Sequence, residues 1–320
     1  MVHRPPQSSS LKIIFVVGVL LVAAGVYGLL ALAFPVKTSD DSEEVEVVAT
    51  EVEIKKDSKE PKIPKFIDLS DVVEDWASSL GRGINVGLKI YDLNNKKVAA
   101  ELNPDERFST ASLYKLFIIY EGYKELEQGD LFGNAILVNG KNVSECLDLA
   151  IRESDSPCAE TLWSKIGRDK IEEIIKNDYQ LENSSAAYLY STPSDMVSLL
   201  ERYYYHEDLS ESSFEKIKDS LLTQPPIKSS ACGGTCNFRI GLPSGFSSDV
   251  NVYNKVGFES DGVSKWKIYN DAAILEFSSL GRTYLISVFT ENLPWSNTKV
   301  AALSNLASAL EEAISSDSSE

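Results

Sequence analysis

Histidine is nearly missing from this chain of 320 residues, which has only His3 and His206. His206 lies in the acidic run His206-Glu207-Asp208 with no nucleophile motif beside it, so nothing indicates a Ser-His-Asp hydrolase. The four cysteines show no Cys-x-x-Cys spacing, and with two histidines they offer no zinc-ligand set; no cofactor is expected. A basic surplus is missing too. The 31 Lys and Arg are outnumbered by 48 Asp and Glu, a net charge of −17. Phosphate backbones require a basic face, so this balance argues against a nucleic-acid binder. Internal repeats are also absent, which argues against a solenoid.

What the chain does have begins with Ile13 to Phe34, an uncharged apolar run long enough to cross a bilayer. Arg4 and Lys12 precede it, while Asp40, Asp41, Glu43 and Glu44 follow. By the positive-inside rule the N-terminus is cytoplasmic and the remainder lies outside. The expected organisation is a cytoplasmic segment over 1–12, an anchor over 13–34 and a polar stalk over 35–64. One folded domain over 65–316 and a tail over 317–320 complete it. Ala31-Leu32-Ala33 has the form of a cleavage site, so the alternative is secretion after cleavage near Ala33. Either route puts the domain in an oxidising compartment, which suits four cysteines. Cys146 and Cys158 could pair, as could Cys232 and Cys236 across Gly-Gly-Thr; three pairings are open.

Periodicity gives the domain its outline. Leu69, Val72, Val73, Trp76 and Leu80 predict an amphipathic first helix, and Ile84 to Ala100 alternates around Asn94-Asn95 as a hairpin. Helical stretches follow over Ser112–Leu126, Ser144–Arg152, Ala159–Asn177 and Pro193–Tyr205. Strand patterns return over Asn251–Phe258, Lys265–Phe277 and Thr283–Thr290, before a closing helix with Val300, Leu303, Leu306, Leu310 and Ile314 on one stripe. The expected fold class is therefore α+β: an antiparallel sheet flanked by helices, with an inserted helical lobe. The sheet lobe takes about 65–111 plus 248–316, the helical lobe about 112–247, and a cleft lies at their junction.

Three short segments carry chemistry. They are Ser112-Leu113-Tyr114-Lys115, Ser154-Asp155-Ser156 and Lys255-Val256-Gly257. In this order they resemble the Ser-x-x-Lys, Ser-Asp-Asn and Lys-Thr-Gly boxes of class A β-lactamases and related penicillin-binding serine enzymes. Ser191-Thr192-Pro193-Ser194-Asp195-Met196 and Arg239-Ile240-Gly241-Leu242-Pro243 resemble two further family segments, so the likeness spans roughly Ile84 to Leu310. A spacing of three puts Ser112 and Lys115 on one helix face, where a neutral amine could take the hydroxyl proton. The resemblance implies Ser112 as nucleophile, Lys115 as base, Ser154 as proton relay and Lys255 as a nearby positive charge. It further implies that Asp155 braces its loop and that Ser156 contacts the substrate amide. Gly257 would let substrate lie along the strand edge, and the N–H groups of Ser112 and Phe258 would form an oxyanion hole.

Two boxes depart from the pattern. Ser156 stands where the family has Asn, and Val256 stands where it has Thr; Lys265 or Arg282 could compensate for the lost hydroxyl. The loop Gln180–Tyr188 lacks the Glu-x-x-Leu-Asn segment whose glutamate directs water onto the acyl-enzyme, and Glu182 lies too close to Pro193 for a direct match. The expectation is a membrane-anchored extracytoplasmic serine hydrolase of bacterial cell-wall chemistry, acylated at Ser112 by β-lactams or D-Ala-D-Ala-like peptides and deacylated slowly. The alternatives are a D,D-peptidase-like cell-wall enzyme and a non-catalytic ectodomain that binds peptide or a partner.

Overall fold

Both ends of the domain read as alternating strands, and both ends meet in one sheet. The computed structural model describes residues 63–229, 234–260, 266–293 and 297–316. In chain order, helix α1 (Ser70–Ser79) precedes strands β1 (Asn85–Asp92) and β2 (Lys97–Leu102). The short β3 (Phe108–Ser109) and a 3₁₀ turn (Ala111–Tyr114) lead into α2 (Lys115–Gln128). A small hairpin, β4 (Ile136–Val138) and β5 (Lys141–Asn142), is followed by α3 (Val143–Arg152), α4 (Ser156–Ile166) and α5 (Arg168–Glu173). A π-helical turn (Ile174–Asp178) and β6 (Tyr190–Ser191) precede α6 (Pro193–Tyr205) and α7 (Glu211–Leu222). The hairpin β7 (Ile227–Ser229) and β8 (Gly234–Cys236) leads to the long strands β9 (Val250–Ser260), β10 (Trp266–Phe277) and β11 (Arg282–Glu291), and α8 (Asn297–Ser316) ends the fold.

The main sheet runs β2-β1-β11-β10-β9, with every pairing antiparallel and β9 at one edge. Helices cover both faces, so β11 is buried along nearly all of its length. One face, with Val86, Leu88, Ile90, Val256, Ala273 and Ile286, packs on α1 and α8. The other, with Tyr253, Ile274, Leu285 and Phe289, packs on the helical middle of the chain. Local chemistry sets the helix ends. Asn142 and Glu145 close a capping box on α3, Asp155 caps α4, Thr192 caps α6 ahead of Pro193, and Ser210 caps α7.

The sequence periodicity is met with a few differences. The stretch expected as one helix over Ala159–Asn177 is broken at Gly167, whose φ of +114° lies outside helical space. Ser112 stands in a 3₁₀ turn, and the α-helix begins only at Lys115. Helix α7 is additional; Phe214, Ile217 and Leu221 give it a buried face. Cys146 and Cys158 form a disulfide between α3 and α4, and closing a loop of this size contributes roughly 3 kcal/mol. The apolar run 13–34, the stalk up to residue 62 and Cys232 lie outside the described residues. Among the described residues no helix is long and apolar enough to cross a membrane.

Trp76 joins the first and last helices: its indole N–H donates to the Ala302 carbonyl at 2.7 Å, and its ring is buried. Trp76→Ala removes that ring and leaves a void under the sheet. The expected loss is about 3–5 kcal/mol of unfolding free energy, measured by urea denaturation.

Candidate active site

Ser112 is set in place from two sides. The peptide leading to it pairs with β6, and Thr110 N–H donates to Leu189 O at 2.8 Å. From β10, the buried Asn270 donates its side-chain N–H to Ser109 O at 2.7 Å and accepts from Thr290 N–H at 3.0 Å. The chain then turns sharply: Ala111 has φ +44°, a left-handed conformation that residues with a β-carbon resist by about 1–2 kcal/mol. The edge strand β9 closes in at Gly257. A Cβ there would overlap the Thr110 carbonyl oxygen and lie 3.1 Å from Leu113 N, so only glycine lets the strand lie this close to the turn.

The second segment enters from the helical side. Ser154 also has a left-handed backbone, with φ +54°. Leu149 O accepts the N–H groups of both Glu153 (3.0 Å) and Asp155 (3.1 Å), folding the loop tightly off the end of α3. Asp155 accepts from Cys158 N–H at 2.8 Å and pairs with Lys141 at 2.5 Å. Burial alone would raise the Asp155 carboxyl, but Lys141, the Cys158 N–H and Lys115 outweigh it and hold it below the usual range. Asp155 is thus an ionised brace, as its position predicts.

Two lysines meet at the hydroxyl this loop presents. Lys115 Nζ donates to Ser154 O (2.6 Å), Ser156 Oγ (3.0 Å) and Ser154 Oγ (3.2 Å). Lys255 Nζ donates to Ser154 Oγ (2.9 Å) and to Val256 O (2.8 Å). Each lysine is only 1% exposed. Beside Lys255 in the sheet, the register places Ala272 and then Ser287, small residues on the face that meets the helices. Burial pushes the Lys115 amine down to about 8, against the charges of Asp155 and Glu160, which pull it up. Burial first, and then the charge of Lys115, drive Lys255 well below the ordinary lysine range, with Asp271 opposing.

Behind Lys255, on the other face of the sheet, Asn254 donates to Asp271 Oδ1 at 2.8 Å and accepts from Arg239 at 2.7 Å. Arg239 also donates to Val252 O at 2.7 Å. These bonds stiffen the edge strand without touching the cleft.

The model of the beta-lactamase enzyme family matches residues 68–314. The chain belongs to this family. It is a β-lactamase-like serine hydrolase. Among solved structures it is similar to PBP-A, at 15% identity and a TM-score of 0.65, covering 80% of this chain and 100% of that one. A β-lactamase from Chitinophaga pinensis is similar at 17% identity and a TM-score of 0.64, covering 76% of this chain and 98% of that one. A β-lactamase from Xanthomonas campestris pv. campestris is similar at 16% identity and a TM-score of 0.66, covering 78% and 99%. At such identities the likeness is one of fold. No curated protein matches the chain.

Against the family pattern, the structure brings Lys115, Ser154, Ser156 and Lys255 together through hydrogen bonds and packs the Ser112 turn on β9. The Ser112 hydroxyl itself makes no hydrogen bond among the described residues, because the Lys115 donors go to the second segment. The Ser156 hydroxyl accepts from Lys115 at 3.0 Å. Gly257 makes room for the chain's own Thr110–Leu113 turn. Val256 is fully buried among the apolar residues beneath the sheet, which accounts for a valine there. Arg282 cannot replace its hydroxyl: it pairs with Phe277, five residues along β10 from the partner of Lys255, roughly 16 Å away. It donates instead to Lys65 O at 2.7 Å. Lys265 lies outside the described residues. Phe258 stays half-buried against Phe238, with ring centroids 5.5 Å apart.

Asn270 and Lys141 were not among the residues singled out from the sequence. Their signals were slight: a polar Asn270-Asp271 pair inside an otherwise apolar strand, and a lysine that only tertiary structure brings to Asp155. Gly257→Ala is expected to push β9 off the Ser112 turn and lower stability by about 1–3 kcal/mol, read as a lower midpoint in thermal or urea unfolding.

Proposed function

We propose that this chain is acylated at Ser112 by β-lactams or D-Ala-D-Ala-like wall peptides, releases the acyl group slowly, and works outside the cytoplasm on an N-terminal anchor. The observation that carries the reading is the meeting of Lys115 and Lys255 at the Ser154 hydroxyl, beside the Ser112 turn. A PBP-A variant of the same fold, solved as an acyl-enzyme complex with penicillin G, supports it.

In this reading the neutral Lys115 amine takes the Ser112 proton as Oγ bonds to the substrate carbonyl carbon. The N–H groups of Ser112 and Phe258 hold the oxyanion, an interaction whose loss typically costs 10²–10³-fold. As the carbon–nitrogen bond breaks, Ser154 gives its proton to the leaving nitrogen and recovers one from the Lys115 ammonium. Lys255 donates a hydrogen bond to the relay hydroxyl and orients it, without giving up a proton of its own.

The residues around the strand leading to Ser112 support slow release. The residues alongside Ser109 and Thr110 are Tyr190 and Leu189, neither of them an acid. Glu182 is exposed, and the Glu172 carboxylate is occupied by Ser185 Oγ (2.7 Å) and Ala187 N–H (2.8 Å). A long-lived acyl-enzyme suits a wall-peptide enzyme better than a fast β-lactamase. A chromogenic cephalosporin should therefore be turned over slowly after a stoichiometric burst. The anchor reading rests on the uncharged run 13–34 and its flanking charges. A binding ectodomain that never reacts is the second reading, favoured by the Lys115 donors that face Ser154 and Ser156 rather than Ser112.

Intact-mass spectrometry after penicillin treatment separates the two. A single stable adduct is expected on the wild type and none on Ser112→Ala; an unmodified wild type, or an equal adduct on the variant, overturns acylation at Ser112. Only the neutral amine accepts a proton, so the acylation rate should climb about tenfold per pH unit below about 8 and level off above it. In Lys115→Arg, whose guanidinium stays protonated, the rate should fall by about 10²–10⁴ and that rise should vanish.

A further inference from the structure

Every acceptor that Lys115 uses lies in one short piece of chain. Ser154 O, Ser154 Oγ and Ser156 Oγ all fall between Cys146 and Cys158. The disulfide joins α3 to the first turn of α4, and both cysteines are fully buried. Within its ring, Ser154 holds a left-handed backbone that a residue with a β-carbon resists. Some force must therefore oppose relaxation of the loop.

The other restraints are weaker or depend on the bridge. The Asp155 side chain caps α4 through the N–H of Cys158, the bridged residue itself. Its second partner, Lys141, is 32% exposed, and an ion pair so open to water contributes little. The two bonds to Leu149 O fix where the loop leaves α3 but not where α4 begins. Beyond the short peptide link over 153–155, the disulfide is the covalent tie between the two helices among the described residues.

We propose that the Cys146–Cys158 disulfide is a positioning element for acylation, holding the Ser154 loop so that its oxygens stay in register with Lys115 and Lys255. It rests on the reading that Ser112 is the acylated residue. The bridge touches no substrate; it acts through Ser154. Loss of the bridge lets α4 slide on α3, so the relay hydroxyl and the acceptors of Lys115 drift together while Ser112 and the oxyanion donors stay with the sheet. Proton transfer suffers and initial binding does not.

The test uses the full chain in detergent, comparing wild type with Cys146→Ala/Cys158→Ala. Penicillin G saturation kinetics give the dissociation constant before acylation and the first-order acylation rate separately. The expected result is an acylation rate lowered about tenfold or more with the dissociation constant held within about threefold. Leu310→Ala, in the core on the far face of the sheet, serves as a control of similar thermal destabilisation and should keep the wild-type rate. If the double variant does not fold by circular dichroism, wild-type protein reduced and mapped by alkylation at Cys146 and Cys158 should show the same drop, with recovery on reoxidation. An unchanged rate in folded, unbridged protein overturns the proposal, as does an equal drop in Leu310→Ala. A wild type that takes no adduct overturns acylation itself, a result separate from either.

Discussion

Two buried amines sharing one hydroxyl is the constraint around which this structure is arranged. Both nitrogens lie within 3.2 Å of Ser154 Oγ, in a setting with almost no water. Two full positive charges at such a spacing repel by roughly 3 kcal/mol even at an effective dielectric constant of about 20. Desolvation acts in the same direction, so the pair sheds a proton far more readily than free lysines do. The surroundings temper this without cancelling it. Asp155 and Glu160 favour charge on Lys115, and Asp271 favours it on Lys255. The result is one readily available lone pair next to a serine.

Holding that arrangement takes backbone chemistry more than side-chain chemistry. Ala111 and Ser154 both adopt left-handed conformations without being glycine, one just before Ser112 and one at the hydroxyl the two lysines share. Residues in such conformations concentrate where the surroundings over-determine them, and here they are over-determined. Asn270 ties the first to the sheet and Leu149 O gathers the second, while Gly257 removes the one β-carbon that would hold sheet and turn apart.

Ser112, Lys115, Ser154 and Lys255 were legible because their spacing and local context survive in the linear sequence, and the structure draws the last three into one hydrogen-bonded group. What Lys115 bonds to was not legible, since its partners lie some 40 residues away and arrive only through the packing of α2 against α4. Ser156 shows the limit of reading by substitution: as a stand-in for asparagine it looked like a lost substrate contact, yet its short hydroxyl takes a lysine donor. Val256 likewise looked like a lost hydroxyl and proves to be a core residue. Sheet order could not be read from strand patterns alone, but the alternation of Ile84–Ala100 and the strength of the last three strands made an antiparallel sheet the natural expectation. The helix expected over Ala159–Asn177 failed at Gly167, where one residue with positive φ outweighs a continuous apolar rhythm.

Gly257 carries a further consequence. Backbone meets backbone there, with the Leu113 side chain packed against the same spot. A contact this close has no slack, so any shift of β9 passes directly into the Ser112 turn.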